Sequence, residues 1–339
     1  MLALLGPQST IYLMPHPHLW PAIIGAALGM TLIVWSAIWL AQRWATLAPR
    51  PRWSIFAACV AFEAVYWVCI YATFVEPRQL VVREVEIVSE DWHGAPIRIA
   101  ALSDTHVGSP HVNSARMLRI VRRVNRLRPD LVVLLGDYAG RHQSEAERSG
   151  REQQEILGGI ATFAALNARY GVVAVLGNHD SWYGRQSITT ALQDAGAAAL
   201  WNRNIVIRRS GGAIVVAGLA DDDTGDPDFT AALDGAPPNA DTIVLSHSPD
   251  PFADMPRGPA LMLAGHGHCG QVTIPLIGRP ILPLRNKRYG CHLVEEDGKR
   301  MYVSAGIGTS ILPVRFLNPP EIVLITIRPA TPRTPAQRN

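Results

Sequence analysis

The chain has 339 residues, room for two or three domains at roughly 150 residues each. Its residues are 48% hydrophobic and only 17% charged, with a mean hydropathy of +0.11, which excludes a disordered chain and a coiled coil. Four cysteines exclude a disulfide scaffold, and a net charge of +3 is too small for a nucleic-acid footprint.

The apolar excess lies at the start. Residues 1–42 contain no Asp, Glu, Lys or Arg, and Leu19–Ala41 is an uncharged run of 23 residues. About 20 such residues span a bilayer as a helix. Trp53–Val75 is a second run, broken only by Glu63. Six of the nine tryptophans precede residue 78, several near the ends of these runs, at headgroup depth. The chain therefore divides into a membrane anchor, 1–78, with helices at about 19–41 and 53–75, a soluble domain, 79–328, and a disordered tail, 329–339. A cleaved signal peptide does not fit, because the first run lacks a basic start and a second span follows it. Arg43, Arg50 and Arg52 lie between the spans, against Arg78 and Arg83 after them. The positive-inside bias puts that loop in the cytoplasm and both termini, with the soluble domain, outside, as a multi-pass membrane protein. Glu63 is expected to form a hydrogen bond within the hairpin.

Without residues 1–78 the chain keeps 27 basic and 26 acidic residues, a near-neutral domain. Short apolar runs bounded by Gly, Asp, Asn or Pro predict buried strands at Ile97–Leu102, Leu131–Leu135, Gly171–Leu176, Ala213–Leu219, Thr242–Leu245, Leu261–Ala264, Met301–Ser304 and Ile322–Ile327. A helical pattern covers Val112–Leu127, and the class is α/β. On that helix Met117, Ile120, Val121, Val124 and Leu127 form a core stripe. Arg116, Arg119, Arg122, Arg123 and Arg126 form a solvated basic face or one set against anionic headgroups.

Polar residues recur where these strands end: Asp104 and His106, Asp137, then Asn178, His179 and Asp180, then His247, then His266 and His268. In an α/β sheet the carboxyl ends of strands share one crevice, so five strand ends converge. Carboxylate, amide oxygen and imidazole together suit Mn, Fe or Zn. Asp104 and His106, two apart in an extended segment, point the same way and can grip one ion. Asp137 can bridge a pair of ions. The run Asp221–Asp222–Asp223 reads as a solvated loop, and Cys269 as a small space-filler, with a thiol ligand or a disulfide to Cys291 as the other readings.

The ordered set Asp104-Thr-His106, Gly136-Asp137, Gly177-Asn178-His179-Asp180, His247 and Gly265-His266-Gly-His268 resembles the calcineurin-like metallophosphoesterase family over about residues 95–327. With GHGHCGQ, the run VSAGIGTSILPVRFLNPPEIVLITI (303–327) resembles its membrane-associated bacterial branch, which includes phosphodiesterases acting on UDP-2,3-diacylglucosamine. The resemblance implies a four-layer α/β/β/α sandwich and two divalent ions. One ion would take Asp104, His106, Asp137 and His268. The other would take Asp137, Asn178, His247 and His266. His179 would protonate the leaving oxygen, with Asp180 orienting it, while a metal-bridging hydroxide attacks phosphorus. The expected substrate is a lipid-linked phosphodiester or pyrophosphate, with the membrane as partner and no nucleic acid. The alternatives are a phosphomonoesterase or nucleotide phosphodiesterase on a soluble substrate, and a non-catalytic metal-binding scaffold.

Overall fold

A computed structural model describes residues 19–210 and 212–330. Two helices open it, α1 (Trp20–Arg43) and α2 (Pro49–Ile70). Pro49 takes the first turn of α2, where a missing N–H costs nothing, so the helix begins earlier than its apolar run. The two helices pack as a hairpin. The Tyr66 ring lies against Gly29, where a Cβ would come within 2.7 Å of it, and the Tyr66 hydroxyl donates to the Ala26 carbonyl at 2.8 Å. Glu63 does not make the expected bond within the hairpin; it is exposed on α2. The outward faces carry Ile24, Leu28, Trp35, Phe62, Val65 and Trp67, a surface that a water-soluble fold would bury. At the turn, Trp44, Trp53 and Phe56 pack edge-on, with Arg52 over Trp44.

Beyond Arg78 the chain builds two six-stranded mixed sheets. The first contains β1 (Val81–Ser89), β2 (Ile97–Leu102), β3 (Leu131–Leu134), β4 (Val172–Ala174), β5 (Ala197–Ala199) and β12 (Glu321–Pro329), in the order β1-β12-β2-β3-β4-β5. The second contains β6 (Arg203–Arg209), β7 (Gly212–Gly218), β8 (Asp241–Leu245), β9 (Leu261–Ala264), β10 (His292–Glu296) and β11 (Lys299–Val303), in the order β10-β11-β9-β8-β7-β6. Side chains alternate across each strand. From β3, Leu131 and Val133 enter the core between the sheets, while Val132 and Leu134 pack under α3 (Ser114–Arg126), α4 (Gly150–Ala161) and α5 (Asn178–Asp194). From β9, Leu261 and Leu263 enter the same central core. Met262 and Ala264 face an outer layer of α6 (Phe229–Leu233) and the turn Asp250–Asp254. Three apolar cores between four layers make the expected α/β/β/α sandwich. Of the predicted tail, Pro329 ends β12, and 331–339 lie outside the described residues.

The end of α2 is built into this sandwich. Ala72, Thr73 and Glu76 are buried, and the Glu76 carboxylate accepts the N–H groups of Leu317 and Asn318 at 2.9 and 2.6 Å. Arg116 is not on a basic face as expected. It is buried at the start of α3 and donates to the carbonyls of His111 and Pro77.

Candidate metal centre

The ends of β2, β3, β4, β8 and β9 open into one crevice, and every strand-end residue singled out from the sequence lies there. Asp104, His106 and His268 form one group and Asp137, His247 and His266 another, with Asp137 also grouped with His106 and His179. In the first group Nε2 of His268 lies 3.0 Å from Nε2 of His106 and 3.4 Å from Asp104 Oδ1. In the second, Nε2 of His247 lies 3.1 Å from both Asn178 Oδ1 and His266 Nδ1. Asp137 Oδ2 joins them, 3.6 Å from His106 Nε2 and 3.4 Å from His247 Nε2.

Backbone strain shapes the site. Asp104, His106, Asp137, His266 and His268 all have φ between +43° and +64°. That region costs a residue with a Cβ about 1–3 kcal/mol, and such residues persist where the surroundings enforce them. Asp104 and His106 therefore share a group through left-handed turns, not through the extended segment expected from their spacing. Among the neighbouring glycines, Gly136 needs its own φ of +90°. Gly265 is required by close approach, since a Cβ there would collide with Ser103 Oγ.

Asp180 differs from expectation. Its buried carboxylate accepts four backbone N–H groups, from Asp137, Tyr138, Ala139 and Gly177, at 2.8–3.1 Å. It orders the loop that carries Asp137 and does not reach the His179 ring. His179 is held instead by the Arg141 carbonyl, 3.0 Å from Nδ1, which leaves Nε2 facing Asp137 Oδ2 at 3.9 Å.

The electrostatics suit a cation. Burial, the neighbouring imidazoles and, for His268, the Arg315 guanidinium lower the pKa of His106 to about 3 and that of His268 well below the usual value. Both rings are neutral at pH 7. Burial also raises Asp104 to about 6. Asp137 is different: the surrounding histidines overcome its burial and hold it well below the usual carboxylate range. His247, close to Asp137, is raised well above the usual imidazole value despite its burial. Two neutral imidazoles, His106 and His268, the Asn178 amide oxygen and the anionic Asp137 carboxylate converge in a buried crevice, donors that a hard or borderline divalent ion takes, while His247 would give up its proton to bind such an ion.

Some neighbours were not legible as site residues. The His142 and Trp182 rings lie tilted against His179, with centroids 4.4 and 5.0 Å from it. Arg315, fully buried, donates to the carbonyls of Ala305, Gly308 and Asn318 and brings Nη2 within 3.3 Å of His268 Nδ1. The Asp221–Asp223 run is only in part the solvated loop expected: Asp223 is exposed, Asp221 is buried. Asp221 is buried on the Thr224 N–H and hydroxyl, Asp222 pairs with Arg285, and Asp223 lies 3.8 Å from His266. Cys269 is a disulfide partner of Cys291, not a space-filler.

Two mixed sheets whose strand ends gather histidines around a shared aspartate define a metallophosphoesterase. Residues 97–270 match the family described as calcineurin-like phosphoesterase, and the chain belongs to that family. It is a metal-dependent phosphoesterase hydrolase. It is 28% identical to the uncharacterized metallophosphoesterase YkuE of Bacillus subtilis, over 76% of this chain and 89% of that protein. It is 29% identical to the phosphodiesterase YaeI of Escherichia coli, over 69% and 83%. It is also 30% identical to a transmembrane protein with a metallophosphoesterase domain from Danio rerio, over 73% of this chain and 56% of that protein.

Proposed function

We propose that the chain is a membrane-anchored phosphodiesterase that holds two divalent ions and cleaves a phosphodiester or pyrophosphate of a lipid-linked substrate. The observation that carries this reading is the position of Asp137 Oδ2 between His106 and His247. One carboxylate oxygen shared by two ligand groups suits a pair of ions. Asp104, His106, Asp137 and His268 would hold one, and Asp137, Asn178, His247 and His266 the other, as Mn, Fe or Zn. Such ions supply Lewis acidity to the phosphoryl oxygens and acidify water.

The remaining chemistry belongs to the chain. His179 delivers a proton from Nε2 to the leaving oxygen, its ring fixed by Nδ1–H donating to the Arg141 carbonyl. Burial lowers its pKa, so the ring is mostly neutral at pH 7 and its minor protonated form gives up the proton readily. Asp180 is a positioning residue that acts through the Asp137 loop. The first turn of α5 carries Asn178 and His179, and the His179 N–H donates to Asp137 Oδ1 at 3.0 Å, which ties this turn to the shared carboxylate.

The anchor, residues 1–78, is supported by two helices long and apolar enough to cross a membrane, Trp20–Arg43 and Pro49–Arg78. On this reading the phosphoesterase domain, 79–328, faces the outside of a bacterial inner membrane. The Cys269–Cys291 disulfide supports that side, because disulfides persist in oxidising compartments. The name of the Escherichia coli relative favours a diester. Turnover of bis-p-nitrophenyl phosphate against the monoester, with added Mn²⁺, tests the reading. Equal or faster monoester turnover would replace it with a phosphomonoesterase.

A further inference from the structure

Outside the two apolar helices, six large hydrophobic side chains among the described residues are more than half exposed: Leu276, Ile277, Ile281, Ile311, Leu312 and Leu317. All six fall in two segments, 271–284 and 308–318, and the segments form one surface. Phe316 N–H donates to the Gln271 carbonyl at 2.9 Å, and Thr273 N–H to the Phe316 carbonyl at 2.8 Å. The Gln271 side chain also bonds both ways with the backbone of Ser310. Leu276, at the tip of the turn closed by Ile274 and Gly278, is fully exposed.

This surface is continuous with the exit of α2. Arg315 N–H donates to the Ala72 carbonyl at 2.9 Å, and Glu76 accepts from Leu317 and Asn318. Residues 271–291 contain Arg279, Arg285, Lys287 and Arg288 and no Asp or Glu; Arg285 pairs with Asp222 and Arg288 with Glu296, which leaves Arg279 and Lys287 without an ion pair among the described residues. Apolar tips among basic residues are the chemistry of a bilayer interface, where acyl chains take the first and anionic headgroups the second. The same segments reach the crevice, because Gln271 follows His268 by three residues and Gly308 N–H donates to the Asp104 carbonyl at 2.7 Å.

We infer that segments 271–284 and 308–318 form a shelf that enters the interface of the bilayer holding α1 and α2, and so sets the mouth of the crevice at headgroup level. The inference rests on the membrane anchoring proposed above. A lipid-linked phosphoester then reaches the crevice without leaving the membrane.

The test uses the full chain with its free cysteines removed (Cys59→Ser, Cys69→Ser), labelled without reductant at Leu276→Cys or Ile311→Cys with an environment-sensitive fluorophore. The control is Glu90→Cys, beyond the far end of β1, about 30 Å along that strand. The protein is reconstituted in phosphatidylethanolamine–phosphatidylglycerol vesicles with and without lipid spin-labelled near the headgroup. The expected result is at least twofold quenching at 276 and 311 and none at 90. Protein that resists alkaline carbonate and floats with the vesicles, but shows no quenching at 276 and 311, overturns the shelf and leaves the anchor standing. A blue-shifted but unquenched probe also overturns it, in favour of a second copy covering the surface. Protein stripped by carbonate overturns the anchor and the shelf with it.

Discussion

The backbone N–H of Asp137 donates to the carboxylate of Asp180 at 2.8 Å, so the acid facing both histidine groups is held in place by a second acid that faces neither. Asp180→Ala would strand four buried N–H groups. At about 1–3 kcal/mol for each unsatisfied group, partly relieved by water, a loss of at least about 3 kcal/mol is expected. Asp180→Asn keeps one acceptor oxygen and should fall between. Thermal unfolding and metal content together check this. Unchanged values for both in Asp180→Ala would show that the loop does not depend on this carboxylate.

Gly177→Ala should damage the site without replacing any residue proposed to hold an ion. The added Cβ would meet Asp137 Oδ1 and stand 2.8 Å from the His247 ring. Displacing catalytic groups by about 1 Å costs roughly 100-fold in rate. Gly150→Ala, where a Cβ meets nothing, should leave diester turnover as it was.

The pH dependence of stability should show His111. Burial and the charges of Arg78, Arg116 and Arg315 lower its pKa from 6.5 to about 4, while Nε2–H donates to the Pro313 carbonyl at 2.8 Å. The unfolded chain takes up this proton first as pH falls. The stabilisation is therefore complete above pH 6.5 and is lost between 6.5 and about 4, by at most about 3 kcal/mol. His111→Gln should narrow the difference in unfolding temperature between pH 7 and pH 5, measured in detergent.

The Cys269–Cys291 bond closes a sequence separation of 22 residues, next to His268. Cys291→Ser should cost about 2–4 kcal/mol of stability. In the unreduced protein a maleimide should label Cys59 and Cys69 after denaturation and leave the other pair unlabelled. Labelling of all four would remove the disulfide argument for an exterior domain.

The strands that sequence patterning locates and those it misses differ in one physical respect. Every continuous apolar run became a strand inside a sheet: β2, β3, β4, β7, β8, β9, β11 and β12. The four missed strands are the four sheet edges, β1, β5, β6 and β10. Edge strands are short or carry charge on an exposed face, as Glu84 and Glu86 do in β1 and Arg208 does in β6, so no apolar run marks them. Helix α5 escapes the same patterning because Gly177 and the polar turn Asn178–Asp180 read as a loop. Residue types at strand ends were enough to select the side chains that the fold brings together. What spacing did not show was the left-handed backbone at five of them, the amide-binding role of Asp180, or Arg315 arriving from 47 residues beyond His268. Those features depend on long-range packing, which a local pattern does not encode.

The central claim is that Asp137 is shared between two ions that act in phosphodiester cleavage. Its most direct test is the metal content per chain, by elemental mass spectrometry, alongside bis-p-nitrophenyl phosphate turnover for the full chain and for Asp137→Asn. Two divalent ions per wild-type chain are expected, and in the variant fewer ions with turnover reduced about 100-fold or more, since each ion contributes several kcal/mol of charge stabilisation. Unchanged turnover in Asp137→Asn would contradict it.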